Sequence, residues 1–319
     1  MEHLGPDYFG APHEAPLPPE EARCELPNTP DTVTGPAAVY LLPSTEQALL
    51  TIVALAATVA LPLYLLVFRP VSRTGVWGLG EMVGVALLLI PLYLFLAVSL
   101  NLVGYEAFSE PSKPLTIVPF SIVTIAQNVA FVGLSAYVVI MRYRLDAGRL
   151  GLRFDRLLRH LSIGVVVAAA VVPLSLVSEK LAVLLIGLFK GHEAARALAA
   201  YEHLQDPLRP MLQSAAGLSF APLILFLLAV VVPIGEEVFF RGLVYGGLRS
   251  RWGVAIGALS SAAFFAAVHT QVVHALPIFA LGLLLALAYE RTGSLVPAMV
   301  AHGINNIVAV LSVWRGWTF

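Results

Sequence analysis

The apolar side chains of this chain come in long runs, and polar positions inside those runs are few. Eight runs can be traced: Ala48 to Phe68, closed by Arg69-Pro70; Met82 to Gly104; Leu115 to Met141; Leu161 to Phe189; Leu218 to Leu248; Gly253 to Thr270; Ala275 to Tyr289; and Leu295 to Trp314. A helix rising 1.5 Å per residue crosses the hydrocarbon in about 20 residues, so most of these runs have bilayer length. The pattern predicts an all-α, polytopic transmembrane bundle of about eight helices. The sixth and seventh runs are shorter and separated by little, so a re-entrant hairpin competes with two full spans there. Residues 1–44 are rich in Pro, Glu and Asp and poor in large aliphatics. Such a segment cannot bury enough apolar surface to offset its chain entropy, which predicts a disordered tail. The expected organisation is this tail, N-terminal transmembrane helices over 45–145, and a helical membrane domain over 146–319.

Composition agrees. Hydrophobic residues make up 58 % of the 319 residues and charged residues 12 %, about half the charged share of a soluble domain. The net charge of −1 offers no electrostatic support for nucleic-acid binding. Cys24 is the only cysteine, so no intrachain disulfide and no CxxC zinc spacing exists. The N-terminus lacks a basic n-region and an apolar h-region, and the first apolar run reads as an uncleaved signal anchor. Arg142, Arg144, Arg149, Arg153, Arg156 and Arg159 crowd the loop after the third run, and Arg69, Arg73, Arg249 and Arg251 lie in the other loops of that side. Basic short loops face the cytoplasm, which predicts that both termini face out, in a cell membrane. Trp314, Trp317 and Phe319 suit an interfacial belt.

Against this background, ionisable groups within the runs carry the information, because each costs about 2.5–3.5 kcal/mol to insert. The fifth run contains Glu236-Glu237-Val238-Phe239-Phe240-Arg241. Glu237 and Arg241 are i,i+4 and are expected to form a bidentate ion pair. Glu236 is rotated about 100° away and stays free to act as a general base or acid. Pro233 and Gly235 can loosen the helix and admit water. The sixth run ends in Phe265-x-x-x-His269, and the eighth contains His302-Gly303-Ile304-Asn305-Asn306. His302 and Asn306 share a helix face and can point two hydrogen bonds at a developing oxyanion. Alternatively Glu236, His269 and His302 could hold a zinc ion. Packing roles compete with each of these readings: an ion pair between helices, a satisfied core histidine, an interhelical hydrogen bond. Glu81, Asn101, Gln127 and Asn128 suit interhelical hydrogen bonding. Glu179-Lys180 and Glu290-Arg291 can each neutralise themselves as neighbours. His274 lies off the face of His269.

Glu236-Glu237-x-x-x-Arg241, Phe265-x-x-x-His269 and His302-x-x-x-Asn306, in that order on successive apolar helices, resemble the CPBP family of CAAX-protease and bacteriocin-processing membrane proteins. The run Glu290-Arg291-Thr292-Gly293-Ser294-Leu295 and the segment Leu150-Gly151-Leu152-Arg153 are similar to family segments as well. The match covers roughly residues 215–314. The resemblance implies an intramembrane endopeptidase in which Glu236 and His269 activate water, His302 and Asn306 stabilise the oxyanion, and Glu237, Arg241 and Phe265 support the site. Both a metal-free water and a zinc-bound one are compatible with this residue set. The implied partners are the bilayer and a membrane-associated protein or peptide substrate. Two other functions compete: a non-catalytic peptide-binding or bacteriocin-immunity protein using the same polar cluster, and a transporter using the carboxylates as a proton relay. The transporter reading lacks the inverted repeat it would need.

Overall fold

The computed structural model describes residues 58–71, 76–102, 117–205, 209, 211–212 and 220–316. The tail expected over 1–44, the start of the first apolar run, the side chain of Asn101, Trp317 and Phe319 lie outside the described residues. All regular structure among the described residues is helical. In chain order these are α1 (Thr58–Phe68), α2 (Leu79–Leu102), α3 (Ile117–Arg142), α4 (Leu157–Lys190), α5 (His192–Gln205), a long run Ala221–Val268, α8 (Ala275–Thr292) and α9 (Val296–Arg315). Six of the helices described are long and apolar enough to cross a membrane. Phe95, Leu102, Leu158, Val166 and Phe189 stand out from them largely exposed, a surface suited to lipid rather than water.

The run Ala221–Val268 is 48 residues long, about 72 Å as a straight helix and twice a bilayer's thickness. Gly253 breaks it with φ 78° and ψ 176°, a backbone conformation that only glycine adopts readily. We therefore treat 221–252 as α6 and 254–268 as α7. The chain folds back at this point: Ser261 Oγ donates to the Phe240 carbonyl at 3.0 Å, pairing residues on either side of the turn. This reproduces the boundary expected between the fifth and sixth apolar runs. α5 has no counterpart among the eight runs, since it carries Glu193, Arg196 and Glu202 on a short amphipathic helix.

α6 is not uniformly α-helical. Residues Glu237–Tyr245 form a π-helical stretch in which all nine residues are buried. Wider π turns interrupt α-helices mostly at functional sites. Beneath it lies an aromatic core: Phe131 stacks on Phe239 with centroids 4.6 Å apart, Phe239 meets Phe240 edge-on at 4.8 Å, and Phe240 meets Phe265 at 4.8 Å. These contacts lock α3, α6 and α7 together. α9 packs against α4, α6 and α8.

Candidate active site

The inward face of α6 brings two carboxylates to one histidine. Glu237 is fully buried, and its Oε1 accepts from Arg241 Nη1 at 2.9 Å and lies 2.8 Å from His302 Nδ1. On the other side of the same ring, His302 Nε2 stands 3.8 Å from Glu236 Oε2. The Glu237–Arg241 pair expected at i,i+4 is present, but it is not bidentate. Arg241 turns its Nη2 to the Gly282 carbonyl at 3.2 Å instead, and its guanidinium lies over the Phe265 ring, 4.5 Å from the centroid. A cation desolvated against an aromatic face gains about 2 kcal/mol, which helps offset burying this arginine at bilayer depth.

Phe265 is the hub of the arrangement. Besides carrying Arg241, its ring stands edge-on to His269 at 4.8 Å and to His302 at 5.9 Å. Its carbonyl lies 2.7 Å from His269 Nδ1. Only a protonated Nδ1 can donate there, so in the neutral ring Nε2 is the acceptor.

Glu236, His269, His302 and Asn306 line one cavity of about 340 Å³ between α3, α6 and α9. Apolar side chains, among them Phe120, Leu228, Val232 and Val313, complete its wall together with Gln127 and Asn128. Glu236 Oε2 has no hydrogen-bond partner among the described residues although it is shielded from solvent. Asn306 Nδ2 donates one proton to the Leu228 carbonyl at 2.8 Å and carries a second. Two glycines set the spacing. A Cβ on Gly303 would stand 2.3 Å from the Ala229 carbonyl oxygen, and one on Gly235 would stand 2.1 Å from Asn128 Oδ1. Only glycine lets α9 and α3 come this close to α6.

Among the described residues no group of three or more His, Cys, Asp or Glu is placed to hold a metal ion. Glu236, His269 and His302 thus do not converge as a three-ligand set in this structure.

Other polar residues go elsewhere than their neighbours in sequence suggest. Glu290 does not serve Arg291: it takes Arg249 through two contacts of 2.7 and 2.5 Å and accepts from Tyr245 Oη at 2.8 Å. Glu81 accepts from Gly78 N and Tyr143 Oη rather than joining α2 to the site. Gln127 takes a short hydrogen bond from Tyr93 Oη. Glu202, on α5, stands in no motif of the sequence. Its carboxylate accepts from the N–H groups of Val272 and Val273 at 2.6 and 3.0 Å and contacts His274 Nδ1 at 3.1 Å. It thereby ties down the loop that follows His269. Burial pushes the Glu202 carboxyl up, but the hydrogen bonds from Val273, Val272 and His274 outweigh it and hold the group below the ordinary value. Nothing in the local sequence around Glu202 signals this, because the partners lie seventy residues away.

Residues 218–308 match the family model described as "Type II CAAX prenyl endopeptidase Rce1-like". Two curated relatives each match a part of the chain. "Putative membrane peptidase YdiL" of Bacillus subtilis (strain 168) is 31 % identical over 90 residues, 28 % of this chain and 37 % of that protein. The "Uncharacterized 24.3 kDa protein" of Escherichia coli is 34 % identical over 94 residues, 27 % of this chain and 43 % of that protein. The match thus spans less than half the length of either relative. No solved structure matches the chain. The stretch matched by the family model contains every residue of the Glu236–Arg241, Phe265–His269 and His302–Asn306 cluster, and over it the chain is similar to the type II CAAX prenyl endopeptidase Rce1-like proteins.

Proposed function

We propose that this chain is an intramembrane endopeptidase that hydrolyses a peptide bond of a membrane-associated protein or peptide through a water activated by Glu236 and His269. The observation that carries the proposal is the gap of 3.8 Å between Glu236 Oε2 and His302 Nε2 at the wall of the cavity. That separation is too long for a direct hydrogen bond and suits a water between the two groups. Such a water donates one proton to Glu236 and the other to the free Nε2 of His269. Its lone pair then attacks the scissile carbonyl carbon as Glu236 takes a proton. The carbonyl oxygen becomes an oxyanion, met by the second N–H of Asn306 and by Nε2–H of His302. Nδ1 of His302 faces the Glu237 carboxylate, which orients the ring for this donation. The tetrahedral intermediate collapses, the C–N bond breaks, and Glu236 returns its proton to the leaving amine. One water is consumed and one acid and one amine are formed.

Glu237, Arg241 and Phe265 support the reacting groups. The apolar wall favours a substrate entering from the bilayer. The family description names prenylated CAAX substrates, and the substrate class assigned here is the broader one of membrane-associated proteins and peptides. In the same reading the arginine-rich loops face the cytoplasm and the domain over 146–319 holds the catalytic core.

The test is N-terminal peptide proteomics on host membranes, comparing wild type with Glu236→Ala at matched expression. New N-termini present in wild type and lost in the variant are expected. Identical profiles, with the biological effect persisting in the variant, would replace the peptidase by a peptide-binding or immunity protein.

A further inference from the structure

A second cavity, of about 350 Å³, lies at the arginine-rich end of the bundle, away from the site. The connection between α3 and α4, the turn between α6 and α7, the end of α8 and the approach to α2 all contribute to it. Its lining includes Arg149, Arg153 and Arg249 against one carboxylate, Glu290. Arg249 is already neutralised by Glu290. Asp146, on the same turn as Arg149, uses its carboxylate to cap the Gly148 N–H at 2.7 Å. The guanidinium groups of Arg149 and Arg153 have no hydrogen-bond or ion-pair partner among the described residues.

These two groups stand on a fixed frame. Arg153 lies between two glycines on the wall: a Cβ on Gly148 would come within 3.3 Å of its Nε, and one on Gly293 within 3.7 Å of its Nη1. Its backbone is pinned to the α8–α9 turn, where Ser294 Oγ donates to the Arg153 carbonyl and Leu295 N donates to the Gly151 carbonyl, both at 2.9 Å. Gly151, at φ 80°, ends the turn that carries Arg149. Trp77 forms the floor, held by its Nε1 donating to the Leu243 carbonyl at 2.7 Å. Both side chains are exposed, so their guanidinium groups stand at the open rim of this frame. Two unpaired guanidiniums on a rigid, partly aromatic concavity present the planar donors that suit phosphate oxygens, and basic concavities between membrane helices take anionic head groups.

We propose that this cavity binds a phosphate-bearing anion through Arg149 and Arg153, with Arg249 as the third, ion-paired wall. The phosphate belongs either to an anionic phospholipid head group or to a soluble phosphate.

Binding to the full chain in neutral detergent, followed by microscale thermophoresis, tests this with three probes: dihexanoyl-phosphatidylglycerol, dihexanoyl-phosphatidylcholine and inorganic phosphate. R149Q/R153Q is expected to bind the anionic probe about thirtyfold more weakly than wild type, from about 1 kcal/mol per basic residue at 1.4 kcal/mol per tenfold. R156Q/R159Q removes the same charge from the start of α4, outside the cavity, and should stay within about threefold of wild type. If R149Q/R153Q aggregates, the single variants R149Q and R153Q replace it, each with an expected loss of about fivefold. Tighter binding of phosphatidylglycerol than of inorganic phosphate assigns the lipid source, and equal binding assigns the soluble one. The proposal is overturned if neither anionic probe binds, if phosphatidylcholine binds as well as phosphatidylglycerol, or if both double variants lose equally.

Discussion

Glu237 Oε1 lies 2.8 Å from His302 Nδ1, and this contact joins α6 to α9 through two side chains buried at bilayer depth. It fixes which ring nitrogen faces the cavity. It also makes Glu237 Oε1 the shared partner of a histidine and an arginine; Glu236, one residue earlier, faces the cavity instead, and Oε2 of each carboxylate is without a hydrogen bond among the described residues. In the proposed reaction the two adjacent carboxylates take different duties, Glu237 holding Arg241 and His302 together and Glu236 exchanging the proton.

The two carboxylates should separate cleanly under mutation. Glu237→Ala leaves Arg241 as an uncompensated buried charge and is expected to cost about 3–5 kcal/mol of stability. Glu236→Gln removes an unsatisfied carboxylate and should leave the thermal midpoint unchanged or raised, while cutting cleavage by about 10²–10⁴. Thermal unfolding in detergent beside a cleavage assay distinguishes them. Equal midpoints for both variants would contradict the division of roles.

Phe265 carries Arg241 on its face and both histidines at its edge. Phe265→Leu keeps the apolar volume but loses the ring, and is expected to destabilise by about 1–3 kcal/mol from the lost cation–π and edge contacts. Cleavage should fall at least tenfold as the histidines lose their register. Unaltered turnover would show that the helix backbones alone position them.

The close approach at Gly303 meets the Ala229 carbonyl oxygen, which moves only with α6, whereas that at Gly235 meets the Asn128 amide, which can rotate, and its Cβ at 2.7 Å, which needs a small shift of α3. Gly303→Ala should thus be the more damaging change, at about 1–3 kcal/mol of overpacking strain, with Gly235→Ala below it. Paired thermal midpoints decide the order, and the reverse order would argue against the packing described between α6 and α9.

The Glu202 carboxyl is held below its ordinary value of 4.5 by its loop contacts. A depressed carboxylate contributes stability that is full above the unfolded value and is lost as pH falls through the folded one. The wild-type midpoint should accordingly drop as the solution is acidified below about pH 4.5. Glu202→Gln should be less stable than wild type at neutral pH and show a shallower acid-side fall. Parallel curves for the two proteins would remove Glu202 from this role. Cleavage is expected to weaken in the variant as well, because the same carboxylate anchors the loop after His269.

The linear pattern of residues by itself determined the helical membrane architecture, the break at Gly253 and the Glu237–Arg241 pair. Each of these is local: apolar run length, a backbone conformation open to glycine, and i,i+4 spacing on one turn act over a few residues. The site motifs were legible for a related reason, since ionisable groups in hydrocarbon are costly enough to mark themselves. Only the tertiary structure decided who faces whom. His302 meeting Glu237, Asn306 donating to Leu228, Glu290 taking Arg249 instead of its neighbour, and Glu202 capping a loop seventy residues on all depend on how helices approach and rotate against one another. The π-helical turn over Glu237–Tyr245 belongs here too, because a wider turn is stabilised by the partners it brings into contact, not by the propensity of its own residues.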